Sequence, residues 1–347
     1  MNKLSNQEVL THIPHLEEIP FIYGTDGLIF VNSILTKLLK NELKVKIKMD
    51  GSPSIIVGYI DNKFFVSTKS LFNKSPKLNF TLDDIKKNHS DSDDLQNKLY
   101  HALTYLKSSI PNNGLFYQGD LLFTQQDLDR KEIDNIDFEI FKPNVIVYAV
   151  EYPMLLSKKI GITFHTSYSG GLDNLTSNYD PDLSVLKNSK EVELFHNDLT
   201  EFNLSPKTIS IIKSICNSLE NSKIDFNLIK KFSTEFTKYF NSKIKSGEVI
   251  DDSIDQIPID SKVLSDNKQM IQRALKLFND ISKCKDLILN DLIQFVPENI
   301  RMYYYKDGEY EPANPEGFVL ISDLGIVKLI DRKTFSHNNF NLSKDWD

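Results

Sequence analysis

Arginine is almost missing from this chain: four residues (Arg130, Arg273, Arg301, Arg332) stand against 37 lysines. So few guanidinium forks exclude an arginine-rich nucleic-acid surface. The lysine excess is no substitute signature, because Lys, Asn and Ile are common together, as an AT-rich coding sequence produces. A formal charge of -7 likewise gives the whole chain no attraction to phosphate, so any polynucleotide contact must come from a local basic groove. Cysteine is scarce too. Cys216 and Cys284 have no metal-ligand spacing and fall in helical patterns, which excludes a disulfide scaffold or zinc site and points to a reducing, cytoplasmic setting. No apolar run reaches the length of a membrane span, and no basic-then-apolar leader opens the chain. Internal repeats and low-complexity tails are absent. What is present is 347 residues with 40% apolar content, enough for one large domain or two ordinary ones.

Along the chain, residues 8 to 42 read as helix, loop and a second helix over Val31–Leu43. Short strands follow: Lys44–Asp50 alternates, and Ser54–Ile60 and Phe64–Thr68 flank a tight turn at Asp61-Asn62-Lys63. A helix is expected near Leu95–Leu106, with strands at Leu115–Phe123, Val145–Tyr152 and Ile160–Phe164. Beyond Ser169 the texture becomes helical. Ser205-Pro206 is an N-cap followed by proline at the first helical position. Apolar stripes then recur through Ile209–Leu219, Leu228–Ile244 and Ile271–Phe295, each the buried side of an amphipathic helix. Strands resume with Met302–Lys306, Gly317–Ser322 and Ile326–Leu329. A β-rich body of residues 1–168 and 299–347 is thus expected to carry a helical insertion over 169–298.

The most informative stretch is Lys48-Met-Asp-Gly-Ser52, at the end of the alternating strand. A lysine amine two residues before Asp-Gly has the spacing of a covalent nucleophile that attacks the α-phosphate of a nucleoside triphosphate. Alone the pattern is weak, since Lys44, Lys46 and Lys48 also suit the wet face of a half-buried strand. Four further features follow in order. They are Ser67-Thr-Lys69 after the hairpin, Gly119-Asp120 in a strand, Glu316-Gly317 opening a strand, and Lys328 in the strand after that.

In that order, these residues resemble motifs I, Ia, III, IV and V of the lysine-nucleotidyltransferase superfamily: ATP-dependent RNA and DNA ligases and mRNA-capping guanylyltransferases. The match spans roughly residues 44–168 and 300–335. It is most similar to phage-type RNA ligases and to a group of uncharacterised tailed-phage proteins. The resemblance implies an α+β fold, a nucleotidyltransferase (ligase adenylation-domain) core of antiparallel sheets around an ATP cleft. It implies ATP and Mg²⁺ as cofactors, Lys48 as nucleophile, and Asp50 beside it orienting the chemistry. By the same resemblance Lys328 would grip the α-phosphate, Asp120 would contact the ribose, Glu316 would hold the metal or orient its waters with Asp120 as a second candidate ligand, and Lys69 would touch phosphate or polynucleotide. A lysine of ordinary pKa is mostly ammonium at neutral pH, so burial or neighbouring cations such as Lys328 are expected to lower that of Lys48.

Departures from the pattern matter. Asp120 stands where glutamate is common, and Ile330 replaces the second lysine of motif V. Residues 328, 330 and 332 would share a strand face, which makes Arg332 a candidate replacement. Phe164 is a candidate adenine-stacking ring or equally a core phenylalanine, and His165 reads as structural. The chain ends 15 residues after Arg332, which leaves no room for a C-terminal oligonucleotide-binding barrel and favours RNA over DNA ends. The expectation is an RNA ligase acting through lysyl-AMP, in the host cytoplasm if phage-encoded. The alternatives are a DNA ligase, another member of the superfamily, or a degenerate nucleotide-binding or assembly protein.

Overall fold

In the computed structural model, which describes residues 13–250, 254–337 and 339, the chain is a mixed α and β structure with three sheets. It opens with α1 (Ile19–Tyr23) and α2 (Thr25–Leu39), so the loop expected before Val31 is helix. Residues 8–12 of the expected first helix lie outside the described residues. Strand β1 (Lys44–Lys48) leads to the hairpin of β2 (Ser54–Ile60) and β3 (Lys63–Ser67). Asp61 and Asn62 both take positive φ (49° and 62°), the two-residue turn that such side chains tolerate and that matches strand twist. Helices α3 (Leu82–Asn88) and α4 (Asp93–Tyr105) precede β4 (Phe116–Thr124). A second hairpin, β5 (Asp129–Ile133) and β6 (Ile136–Phe141), is illegible in the sequence because β5 is exposed along most of its length and carries charge rather than alternation. Then come β7 (Val147–Glu151), β8 (Ile160–Ser169), β9 (Thr176–Asn178), β10 (Val192–Leu194) and β11 (Asp198–Leu199).

The helical stretch holds α5 (Pro206–Glu220), α6 (Phe226–Lys230), α7 (Ser233–Ser246), α8 (Ser261–Asp266) and α9 (Lys268–Ile293). Ser205 caps α5 by accepting the Thr208 N–H, as its sequence signature predicts. The stripe from Leu228 to Ile244, expected as one helix, is split between α6 and α7. Strands β12 (Arg301–Lys306), β13 (Glu309–Pro312), β14 (Gly317–Ser322) and β15 (Gly325–Ile330) complete the sheets. The strand orders are β11-β1-β14-β15 in the first sheet and β10-β8-β4-β2-β3 in the second, where β9 also pairs with β8. The third sheet has the order β13-β12-β7-β6-β5.

The helices do not stand apart as an inserted module. Val45, Phe318, Leu320, Val327 and Leu329 on the back of the first sheet share one core with Phe21 and Ile34 of the N-terminal helices. The same core contains Ile212, Phe240, Leu275 and Ile288 of the helical stretch. Residues 176–199, expected inside the insertion, instead supply β9, β10 and β11 to two sheets. The reason is physical: alternating strands leave an apolar face and amphipathic helices an apolar stripe, and these are buried in one core, with α5 packed on α2 and α9, α7 on α1, and α9 reaching β15. A buried ion pair adds to the link, Lys285 of α9 to Glu17 at 2.6 Å, and Arg332 donates to Asn241 of α7 at 2.8 Å. Replacing residues 206–293 by a short linker is therefore expected to yield insoluble or unfolded protein, seen as lost far-UV dichroism. A soluble, folded deletion would refute the shared core.

Candidate functional site

The register of the first sheet builds the site. Lys46 lies opposite Val319 and Lys48 opposite Gly317, while Val319 and Gly317 in turn oppose Lys328 and Ile330. Opposed residues share a face, so Lys46, Lys48 and Lys328 stand together on the side away from the helices. Glu316, one residue ahead of β14, meets Lys48 in an ion pair between Nζ and Oε2. Glycine is required beside it, because a Cβ on Gly317 would lie 2.0 Å from the Leu329 carbonyl oxygen. The glycine of Lys48-Met-Asp-Gly51 has a similar cause: a Cβ there would lie 2.8 Å from Asp120 Cβ, so only glycine lets the loop after the lysine rest on β4.

The facing wall comes from the second sheet. A cleft of about 550 Å³ runs between the lysine face and Gln118 and Asp120 of β4, with Thr166 and Tyr168 of β8 beside them. Between β4 and β8 the register slips: Gln118 pairs with Thr166 but Gly119 with Phe164. This bulge leaves His165 unpaired and lining the cleft, where its Nε2 lies 3.7 Å from Asp120 Oδ2. Lys69 is exposed at the cleft, at the start of a short turn capped by Thr68.

Charge in the cleft is arranged differently from expectation. Burial disfavours the Lys48 ammonium, but Glu316 beside it, with Asp120 and Asp50 further off, more than offsets this and raises its pKa above the ordinary value. Glu316 is pushed up to about 7 by burial, in spite of Lys48. The lowering expected at Lys48 falls instead on Lys328, through burial and the neighbouring Lys48 charge. Asp120 is held below the usual carboxylate range; burial opposes this, and His165 chiefly overcomes it.

Five sequence candidates therefore gather in one cleft: Lys48, Lys69, Asp120, Glu316 and Lys328. Three others do not. Asp50 is 4% exposed, and its carboxylate accepts from Asn144 Nδ2 (2.8 Å), Val145 N–H (2.7 Å) and Ile146 N–H (3.1 Å). Its own N–H donates to the Tyr148 hydroxyl at 2.6 Å. Asp50 thus clamps the β6–β7 turn under Lys48 rather than facing substrate. Phe164 is a core residue, edge-on to Tyr117, because the bulge turns it away from the cleft. Arg332 lies past the end of β15 and is consumed by Glu18 and Asn241, so it does not stand in for the second lysine. Lys46 was hidden by its alternation, which reads as a wet face. It is 3% exposed and lines the cleft, with Asp198 at 3.6 Å and Asp180 at 3.9 Å.

The Asp50 role has a direct check. Asp50→Ala would strand the buried Val145 and Ile146 amides and is expected to cost about 3 kcal/mol in denaturant unfolding. A loss below about 0.5 kcal/mol would contradict the clamp.

Among the described residues, no three His, Cys, Asp or Glu side chains gather closely enough to hold a metal ion. Glu316 and Asp120, both acting on Lys48, fit Mg²⁺ in its usual form: a hydrated ion held by one or two carboxylates and substrate phosphates, not a caged resident ion. Also among the described residues, no helix is long and apolar enough to cross a membrane. The model of a family of unknown function, DUF6267, matches the chain over residues 6–257 and 252–344. No curated protein and no solved structure matches it.

Proposed function

The chain belongs to that family of unknown function, and from the geometry of its cleft we propose that it is an ATP-dependent polynucleotide ligase. Its substrate is RNA ends, and it works through a covalent lysyl-AMP on Lys48. One observation carries this reading: Lys48, Lys69, Asp120, Glu316 and Lys328, far apart in sequence, line a single cleft. Such convergence is what transfer of a nucleotide needs: a nucleophile, cations for phosphate and carboxylates for a phosphate-borne metal.

In the first step the Lys48 amine attacks the α-phosphorus of ATP, the bond to the β-phosphate oxygen breaks, and pyrophosphate leaves while the amine proton passes to solvent. Lys328, whose ammonium faces the same cleft, offsets charge on the phosphate under attack. Mg²⁺, when bound, neutralises the leaving pyrophosphate. The Lys48–Glu316 ion pair keeps the empty enzyme unreactive, since the amine is protonated while Glu316 faces it. Glu316 and Asp120 would hold a Mg²⁺ ion that comes with ATP, and Glu316 engaged there would leave the Lys48 ammonium without its ion-pair partner, easing loss of its proton to solvent. AMP then passes to a 5′-phosphate, and a 3′-hydroxyl displaces it to form the phosphodiester.

Incubation with α-labelled ATP and Mg²⁺, followed by a denaturing gel, tests the reading. A labelled protein band is expected, and release of that label by 5′-phosphorylated RNA identifies a ligase. Preferential labelling by GTP would point to a capping-type enzyme. A second reading, a nucleotide-binding protein without turnover, is favoured by Ile330 and by the engagement of Arg332 with Glu18. Saturable ATP binding without a covalent band would establish it.

A further inference from the structure

Two polar groups in the cleft take no part in the transfer chemistry. Lys46 stands two residues before Lys48 on the same face of β1, about 7 Å away by strand rise. It is 3% exposed, and no hydrogen-bond acceptor among the described residues reaches its Nζ; the flanking carboxylates of Asp198 and Asp180 lie at 3.6 Å and 3.9 Å. Asn197, whose carbonyl accepts the Ile47 N–H at 2.6 Å, lines the cleft next to it. It is 6% exposed, and its side-chain Oδ1 is buried without a partner. Val319, directly opposite Lys46, joins Tyr179, Ile321 and Ile326 in a small apolar cluster that lines the same cleft.

We propose that this end of the cleft reads the base of an adenine nucleotide, with Lys46 donating to the ring N1 and Asn197 Oδ1 accepting from the 6-amino group. The proposal rests on the nucleotide reading of the cleft and adds which residues choose the base. An ammonium has three donors and no acceptor, and a buried donor without an acceptor costs free energy that a bound ligand recovers. Asp180 and Asp198 already offset the charge of Lys46, so what it lacks is an acceptor rather than a counter-charge. A phosphate here would be repelled by both carboxylates. A neutral nucleobase suits the place: its flat faces rest on the apolar cluster, and its edge meets the few polar groups. Adenine offers an acceptor at N1 beside a donor at the 6-amino group, as these two side chains require. Guanine carries a hydrogen on N1, which would meet the ammonium donor to donor. The spacing agrees, since a base lies a few ångströms beyond the α-phosphate that Lys48 attacks.

The full-length protein, in EDTA so that no transfer occurs, is titrated calorimetrically with ATP, 1-deaza-ATP, purine riboside triphosphate, GTP and inorganic tripolyphosphate. Wild-type protein is expected to bind ATP at least about tenfold more tightly than each of the other nucleotides, the effect of one buried hydrogen bond. Lys46→Met should cancel the preference over 1-deaza-ATP, and Asn197→Leu the preference over purine riboside triphosphate. Neither should weaken tripolyphosphate. The analogue series on wild-type protein decides the matter even if a variant fails to fold. Equal binding of ATP and 1-deaza-ATP, GTP bound as tightly as ATP, or wild-type protein that binds no ATP would each overturn the proposal. So would Lys46→Met weakening tripolyphosphate as much as ATP, which would make Lys46 a phosphate ligand. Base-selective binding without a covalent band would leave this proposal standing and remove the ligase reading.

Discussion

Lys48→Ala and Lys48→Arg are both expected to abolish covalent labelling by α-labelled ATP while leaving the protein folded. The arginine variant is the sharper of the two. Its guanidinium keeps a cation against Glu316, so the cleft stays electrically balanced, yet it cannot lose a proton to become a nucleophile. In the alanine variant Glu316 loses its partner, and a carboxyl already pushed up to about 7 takes up a proton rather than remaining a bare buried charge. The fold should survive either change, because the Lys48 side chain is 27% exposed and belongs to no apolar core. A labelled band at wild-type intensity from Lys48→Arg would remove Lys48 from the chemistry. Loss of the far-UV dichroism would show instead that the ion pair is structural.

Glu316→Gln separates two effects of opposite sign. It removes the neighbour that holds Lys48 protonated, which alone would speed attack by the amine. It also removes the carboxylate best placed to engage a phosphate-borne cation. If the second effect dominates, labelling falls on the order of 100-fold or more, and raised Mg²⁺ restores little of it. Faster labelling in the variant would mean that Glu316 acts only as a brake on Lys48. The pH profile carries the same logic. Burial keeps a proton on Glu316 up to about pH 7, so below that pH it can neither pair with Lys48 nor bind a cation. Labelling by the wild-type protein should therefore rise through about pH 7 as Glu316 ionises. It should go on rising in alkali as Lys48, whose pKa is raised, begins to lose its proton. Glu316→Gln should lack the first limb and keep the second, moved to lower pH because the chief group raising the Lys48 pKa is gone. A wild-type profile flat from pH 6 to 8 would contradict the assigned ionisation.

Much of this was legible in one dimension because it depends on local rules. Strand alternation in Lys44–Lys48, the Asp61-Asn62 turn and the Ser205-Pro206 helix start follow from backbone sterics and capping within a few residues. The order of the five motifs brought Lys48, Lys69, Asp120, Glu316 and Lys328 into view, and all five line one cleft. The residues that misled share one property: their neighbours come from distant segments. Asp50 looked catalytic beside Lys48, but three donors at residues 144–146 claim its carboxylate. Arg332 seemed to continue the face of Lys328, but the strand ends at Ile330 and Glu18 takes the guanidinium. Phe164 and His165 exchanged roles because a single bulge reverses which one faces the cleft, and nothing in the sequence marks that slip.

By itself, then, the sequence determined the local elements, the apolar stripes and the set of chemically capable side chains, since each depends on spacing along the chain. Tertiary structure alone decided which charges meet. Pairing β1 with β14 in one register sets Glu316 against Lys48, and that contact keeps the lysine protonated, contrary to what its neighbouring lysines imply. It also decided that the helices share the core of the first sheet, because an apolar stripe records that a face must be buried but not which surface buries it.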